Sequence, residues 1–391
     1  MSWPRHRYRG TDVDGPLLDP EGLWVRGENL TAQMGRESFA AALLRILTDE
    51  APSQEQVQGC DRLLRDGLQT VLESEEILEL CRRTSALSRD PISGLVAGLL
   101  ALSAQEGPAA AVSRRHDVGV PLELRTAMAA AAMTPALLAA SIEAVDGNPL
   151  LSPRKHFVRE AQTFADAVLG LARGSLSARE PELRLFEAIL VAWHAGFGYI
   201  TPTVLVPRAV IGTGVSLVQA MAAGCLASGP YHIGACRRAT AWFADLHQQY
   251  LLEQTGTDLT EFVRAKLMTQ MRDGQVIYGF GHPLFKEDPR PPVIRRLLEA
   301  TGCVDPFLPL YDAAAAQLFA SKELRPNIDA ATAIAFLQLG IRGEWWGLGL
   351  GLCARTAAML AHAIERRGRP PFGLNSRGAR AYLAAVPVGW L

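Results

Sequence analysis

The chain reads as a mainly α protein, and three observations say so. Ala, Leu, Arg and Glu, all good helix formers, are abundant throughout. Alternating runs of β-branched residues, the mark of half-buried strands, scarcely occur. Apolar residues recur at helical spacing between Gly, Pro and capping residues, which predicts about fifteen to twenty helices. That helical content is well above the usual fraction.

The elements follow in order. Arg7 to Asn29, rich in Gly, Asp and Pro, predicts a short extended segment or hairpin. Ser38 caps a helix over Phe39 to Leu47. Ser53 starts another, with Val57, Leu63, Leu64, Leu68 and Val71 near helical spacing, and Ser74 starts a third through Ile77 and Leu80. Pro91 opens a fourth, Ile92 to Leu102, at a position where proline is tolerated. Gln105 to Val120, with Gly107, Pro108 and the basic Arg114-Arg115-His116, reads as loop. Two alanine-rich helices are expected over Leu122 to Met133 and Pro135 to Val145, stopped by Asp146-Gly147-Asn148-Pro149. Phe157 to Leu171 and Pro181 to His194 read as helices, the second broken by Gly196 to Pro202. Thr203 to Leu226 reads as one long helix ended by Gly229-Pro230. Ile233 to Leu252, Thr260 to Met271, Pro292 to Ala300, Leu310 to Phe319, Ala331 to Leu339 and Leu350 to Arg366 complete the helices, before a loop-rich tail from Gly368.

The 391 residues suffice for two domains or for one large core with a smaller lobe, and 49% of them are apolar. A net charge of −1 gives no electrostatic case for a nucleic-acid or membrane partner. Cys60, Cys81, Cys225, Cys236, Cys303 and Cys353 form no CxxC pair and no zinc-spaced cluster. No metal is expected, and scattered thiols suit a cytoplasmic protein. Met1 to Gly10 is polar and does not read as a signal peptide. The best membrane candidate, Thr126 to Ala140, is short and broken by Pro135, so no spanning helix is expected.

Three polar stretches break the apolar surroundings. Gly279-Phe280-Gly281-His282 is followed by Lys286 and Asp288-Pro289-Arg290. Glycines let backbone approach a ligand, histidine exchanges a proton near neutral pH, and arginine suits carboxylate or phosphate. Ser228-Gly229-Pro230-Tyr231-His232 places His232 before a new helix, as a solvated capping residue or as a neutral ring donating to a developing enolate. Pro326-Asn327-Ile328-Asp329 places Asp329 at the start of an apolar helix, where a cap is the plain reading. Two histidines and a carboxylate, each at a loop-to-helix junction, resemble an acid–base constellation. Arg355 lies inside an apolar helix and, if buried, must pair or bind an anion.

These motifs, in this order, resemble those of the citrate synthase family, clearly over about 205–385 and faintly from about residue 20. The resemblance implies an almost wholly helical homodimer. Its large domain would comprise 1–235 and 340–391, and its small domain, 236–339, would close over the substrate. It implies an acyltransferase that condenses an acyl-CoA, acetyl-CoA or longer, with a 2-oxo acid such as oxaloacetate. Coenzyme A would enter only as the substrate thioester, with no further cofactor. Asp329 would be the base, His232 the enol stabiliser and His282 the group that hydrogen-bonds the 2-oxo carbonyl. Arg290, Arg355 and Arg377 would hold carboxylates. Val276, Ile277, Tyr278, Gly279, Lys286 and Asn327 would meet CoA. A citryl-CoA lyase-type cleavage and a non-catalytic CoA-ester-binding homologue are the alternatives.

The departures bear on substrate. The family's oxaloacetate-binding histidine falls, counting back from Arg208 and Gly214, at Phe197-Gly198. His194 either reaches in by another path or is a satisfied histidine on an apolar helix. Ile233, Cys236 and Arg237 replace a glycine, an asparagine and an acid, and the segment from His282 to Arg290 is one residue short. Ala330 and Gly351 stand where aromatics are common, and Gly378 follows Arg377 where proline is usual. Together these suggest a roomier or altered oxo-acid pocket.

Overall fold

The computed structural model describes residues 11–18, 21–176, 179–198, 200–229, 232–253, 258–302, 307–369 and 376–385. A three-stranded antiparallel sheet comes first: β1 (Asp14–Leu18), β2 (Glu21–Val25) and β3 (Glu28–Asn29), with Asp14 opposite Val25. This is the extended start expected from its turn residues. The fold is otherwise helical, as the composition predicts.

After α1 (Leu30–Gln33) come α2 (Phe39–Thr48), α3 (Gln54–Leu72), α4 (Glu75–Ser88) and α5 (Pro91–Leu102). The Ser38 side chain accepts from Ala41 N, and Ser53 closes a capping box with Gln56. Several boundaries differ from expectation for local reasons. The 105–120 stretch holds α6 (Pro108–Arg115), anchored by buried Ala109, Ala110 and Val112. Pro135 does not divide its helix: α7 (Leu122–Asp146) runs through it. An interior proline costs roughly 3 kcal/mol. Continuous burial from Ala127 to Ile142 offsets that cost, and the Thr134 hydroxyl donates to Ala131 O at 2.6 Å.

Residues 151–173 form two helices, α8 (Leu151–Glu160) and α9 (Phe164–Arg173), because Thr163 caps the second on Asp166 N. α10 (Glu180–Ala192) stops at Trp193, so His194 lies in the following loop and not on the helix. The expected long helix after it is two, α11 (Pro202–Ile211) and α12 (Leu217–Leu226). Gly214 at φ 92° turns the chain, and a Ser216–Gln219 capping box restarts it.

Then follow α13 (Gly234–Glu253), α14 (Leu259–Arg272), α15 (Pro291–Ala300), α16 (Phe307–Lys322), α17 (Ile328–Gln338) and α18 (Glu344–Arg366). α19 (Ser376–Ala385) stands in the tail expected to be loop. α7 and α18 form the centre. α7 packs on α3, α4, α5 and α18, while α18 also meets α2, α11, α12 and α13.

By length and composition alone, both central helices are apolar enough to cross a bilayer, contrary to the expectation based on Pro135. Within their most apolar windows, 78% of α7 and 94% of α18 is buried in the fold, so neighbouring helices already cover that surface. Among the described residues, Cys60, Cys81, Cys225, Cys236 and Cys353 are free, buried thiols.

Candidate active site

The two later motifs meet as one structure. Phe280 bridges to Pro326, Gly281 N donates to Arg325 O at 2.7 Å, and Asn327 N donates to Gly279 O at 2.9 Å. A Cβ at Gly279, which has φ 92°, would lie 2.7 Å from Ala330 Cβ. Only glycine permits that approach. Asn327, not Asp329, is the N-cap of α17: its Oδ1 accepts from Asp329 N at 2.9 Å and its Nδ2 donates to Gly281 O at 2.7 Å. The capping reading of Asp329 therefore gives way, and its carboxyl is free for chemistry. Burial pushes that carboxyl up to about 7, against the pull of Arg290 and Arg355, with Asp288 adding to the rise.

Asp288 and Arg290 form a buried bidentate pair, with Arg290 Nε and Nη2 donating to Asp288 at 2.9 and 2.7 Å. Asp288 Oδ2 also accepts from Ile328 N at 3.0 Å, at the start of α17. Burial raises the Asp288 carboxyl, but Arg290 outweighs it and holds the group below the usual carboxylate range. Arg290 Nη1 donates to Ala192 O at 3.4 Å. The fork assigned to substrate by resemblance is thus closed on Asp288.

His282 Nδ1 accepts backbone N–H bonds from Leu284 at 3.1 Å and Phe285 at 3.2 Å. The ring proton therefore sits on Nε2 in the neutral form. Burial lowers its pKa, with Asp288 and Glu21 opposing and Arg290 assisting. The ring lies 5.0 Å from Phe285 and 5.4 Å from Phe197, centroid to centroid.

His232 closes a tight turn, its N–H donating to Gly229 O at 3.0 Å and its C=O accepting from Gly229 N at 2.9 Å. Pro230 and Tyr231 of this motif lie outside the described residues. Ile233 follows at φ 66°, a strained value for a β-branched residue and one that the family's glycine would adopt freely. Burial and the field of Arg355 lower His232 to about 4, so the ring is neutral. Its Nε2 lies 3.2 Å from the Thr203 hydroxyl.

Arg355 is 3% exposed, and its Nε and Nη1 have no hydrogen-bond partner among the described residues. Burial lowers its pKa to about 10, with Arg290 assisting and Asp14 and Asp329 opposing. Its guanidinium carbon lies 5.5 Å from the Trp193 ring centre. His194, 1% exposed, has an unpartnered Nε2 and is lowered to about 3 by burial and Arg355. It is not the satisfied helical histidine. Arg355 thus joins His194, His232, Asp329 and Arg290 in one electrostatic neighbourhood, and His282 adjoins it through Asp288 and Arg290.

The outer positions are less concentrated. Val276 is exposed, and Tyr278 lies under the Arg238 guanidinium at 4.6 Å. Lys286 is exposed, with its backbone N donating to Glu21 at 2.8 Å. Both polar side-chain atoms of Asn327, assigned to CoA by resemblance, are already bonded within the protein. A groove of 250 Å³ beside the His232 turn is lined by Ser228, Gly229, Gly234, Arg237, Arg238 and Trp345, among others. Arg377 lies exposed on α19, and no described contact joins it to these groups.

The profile described as "Citrate synthase, C-terminal domain" matches residues 5–371. The chain belongs to the citrate synthase family. A citrate synthase of Corynebacterium glutamicum is 29% identical over 150 residues, 36% of this chain and 32% of that protein. The citrate synthase-like protein oryE of Aspergillus oryzae is 35% identical over 118 residues, 28% of this chain and 26% of that protein. The aligned stretches thus span about a third or less of these curated relatives. Among solved structures, a citrate synthase from Pyrobaculum aerophilum superposes with TM-score 0.70 at 19% identity, covering 93% of this chain and 88% of that one. The Thermoplasma acidophilum citrate synthase, in ternary complex with carboxymethyl coenzyme A and oxaloacetate, gives TM-score 0.67 at 17% identity. It covers 98% of this chain and 97% of that one. These likenesses establish the citrate synthase fold.

Within that fold the departures are filled, not vacant. A Cβ at Gly351 would lie 3.0 Å from Trp193 Cε2, so Trp193 occupies the space of the family aromatic. Its Nε1 donates to Thr332 Oγ1 at 3.1 Å. Ala330 is small because Gly279 packs directly on it. Phe197 stands at the place of the absent histidine, 7% exposed, with its ring 5.1 Å from the Arg290 guanidinium carbon. The extra room expected at these positions is therefore absent. Trp193, and the ring contacts of Phe197, escaped the sequence reading because their partners lie about 85 or more residues away. Their only local signal was the break at Gly196.

Proposed function

We propose that this chain is a citrate synthase-type acyltransferase that condenses an acyl-CoA with a 2-oxo acid. One observation carries the reading: the Asp329 carboxyl, set at about 7 by burial, shares its surroundings with Arg355, whose buried Nε and Nη1 meet no partner among the described residues. A base poised near neutral pH and an anchor for an anion are what an enolisation followed by attack on an anionic acceptor requires.

In this reaction Asp329 takes the α-proton of the thioester. Neutral His232 donates a hydrogen bond to the enolate oxygen, with Thr203 at its other ring nitrogen. The enolate carbon attacks the 2-oxo carbon, and His282 Nε2–H donates to the oxygen that becomes the alkoxide. Arg355 holds the acceptor carboxylate, and water then cleaves the thioester to release CoA. The strip of exposed Val276 and half-buried Ile277 and Tyr278, the backbone at Gly279 and the Lys286 ammonium receive CoA. We place the enzyme in the cytoplasm as a homodimer whose 236–339 lobe closes over the site, with no cofactor beyond the thioester.

The test is free-thiol release across paired acyl-CoA and 2-oxo acid panels. Asp329→Asn is expected to lower turnover roughly 10²–10⁴-fold while CoA binding, read by calorimetry, persists. The base acts ionised, so kcat/KM of the native enzyme should rise with pH through about 7 and fall below it. Undiminished turnover in the variant overturns the assignment.

A further inference from the structure

We propose that Phe197 selects the acceptor: a 2-oxo acid with one carboxylate and an apolar substituent, in preference to a 2-oxo dicarboxylate. This rests on the condensation reading above and names the class of its second substrate.

His282, whose Nε2–H is the donor for the 2-oxo oxygen, has one ring neighbour at 5.4 Å in Phe197 and another at 5.0 Å in Phe285. The two phenyl rings also lie 5.9 Å apart, so they form one apolar wall beside the carbonyl donor. That wall extends over Arg290, whose guanidinium carbon lies 5.1 Å from the Phe197 ring centre. The Arg290 fork is already closed on Asp288, and its remaining arm reaches Ala192 O. Arg290 is therefore a neutralised, ring-covered pair and a poor clamp for a second carboxylate.

Arg355 is different. Its Nε and Nη1 are buried and unpartnered among the described residues, as is Nε2 of His194 in the same field. These nitrogens suit one carboxylate. A second carboxylate would have to leave water against Phe197 and Phe285, beside an Arg290 already committed to Asp288, an unfavourable transfer. A methyl or ethyl group would gain from that same wall.

The position of Phe197 is enforced. It sits at φ 59°, and the residues on either side are tied down: Gly196 N and Gly198 N both donate to the buried Asp14 carboxylate, the latter at 3.0 Å. A non-glycine residue held in the left-handed region by its neighbours keeps its side chain in one direction.

The experiment is calorimetric titration, without acyl-CoA, of pyruvate, 2-oxobutyrate, oxaloacetate and 2-oxoglutarate into the full chain, followed by thiol release with the same acids. The expected result is binding of pyruvate or 2-oxobutyrate at least tenfold tighter than either dicarboxylate. Phe197→His should shift that ratio at least tenfold toward oxaloacetate, and Phe197→Leu, which keeps an apolar wall, should preserve it. Melting curves of both variants establish that they are folded. Tighter binding of a dicarboxylate by the native chain overturns the proposal, as does no binding of any acid. An unchanged ratio in a folded Phe197→His variant also overturns it. Selective binding without thiol release would leave the acceptor assignment standing and sink the condensation reading instead.

Discussion

Arg355 carries its charge into the buried middle of α18, and two of its nitrogens meet no partner among the described residues. An ion in such a place destabilises the empty protein by several kcal/mol unless something compensates it. Asp14 and Asp329 attract it without a described hydrogen bond, while Arg290 opposes. The residue is best explained by an anion that arrives later. Replacing it with a side chain of similar shape and no charge separates a binding role from a structural one. Arg355→Met is expected to leave the fold as stable as before or to stabilise it by about 1–4 kcal/mol. Acceptor binding should fall beyond detection in the same variant. Urea denaturation and acceptor titration check the two halves, and a large loss of stability would make Arg355 a structural residue. The sequence already showed an arginine that must pair or bind if buried. It could not show that Arg290 is satisfied and Arg355 is not, because that depends on Asp288 folding back two residues onto its own neighbour.

At the scale of the element, the site depends on how α17 begins. The segment Gly279 to Gly281 is laced to Arg325–Asn327, Asn327 caps the helix, and Asp288 accepts from its first N–H. Three motif pieces far apart in sequence are therefore one rigid corner, and Asp329 leaves that corner with its carboxyl uncommitted to the cap. Gly279→Ala tests the corner. The new methyl must take φ near 92° and meet Ala330 at 2.7 Å. The left-handed backbone alone costs about 1–2 kcal/mol, and relief of the clash must move either the Gly279–Gly281 segment or the start of α17. The expected outcome is a lower melting temperature and a fall in kcat larger than the change in acyl-CoA affinity. This corner was largely legible, since glycine pairs and Pro-Asn-Ile-Asp state their backbone needs locally. Pro135 and Gly212–Val215 were misread for the opposite reason. Whether a helix survives a proline, or ends where a glycine stands, is decided by burial on α7 and by the Ser216 cap respectively.

For the whole molecule, one buried network joins the first strand to the last core helix and to the loop that carries His194 and Phe197. Asp14 on β1 accepts from Gly196 N, from Gly198 N and, at 2.8 Å, from His362 Nε2 on α18. Arg208 Nη1 on α11 can only donate and lies 3.0 Å from His362 Nδ1, so that nitrogen accepts and the proton toward Asp14 sits on Nε2. Arg208 also pairs with Glu365, which accepts from Thr11 Oγ1 at 2.9 Å and from Asp12 N at 2.6 Å. None of this was visible in the sequence, where Asp14 was one turn residue among several and His362 lay unremarked in an apolar helix. Its contacts span about 150 to 350 positions, and no local pattern encodes them. The consequence is that acceptor selection is tied to the integrity of the amino-terminal sheet. Asp14→Ala strands two backbone donors and an imidazole N–H in the core. It is expected to destabilise the chain by roughly 3–5 kcal/mol, the scale for breaking a buried polar pair. Below its lowered melting temperature, the variant should bind 2-oxo acids more weakly and with less discrimination between mono- and dicarboxylates, because Gly196 and Gly198 no longer fix Phe197. Melting curves with acceptor titrations over a temperature range would read both effects. Loss of stability with selectivity intact would detach the sheet from the site and confine Asp14 to a structural role.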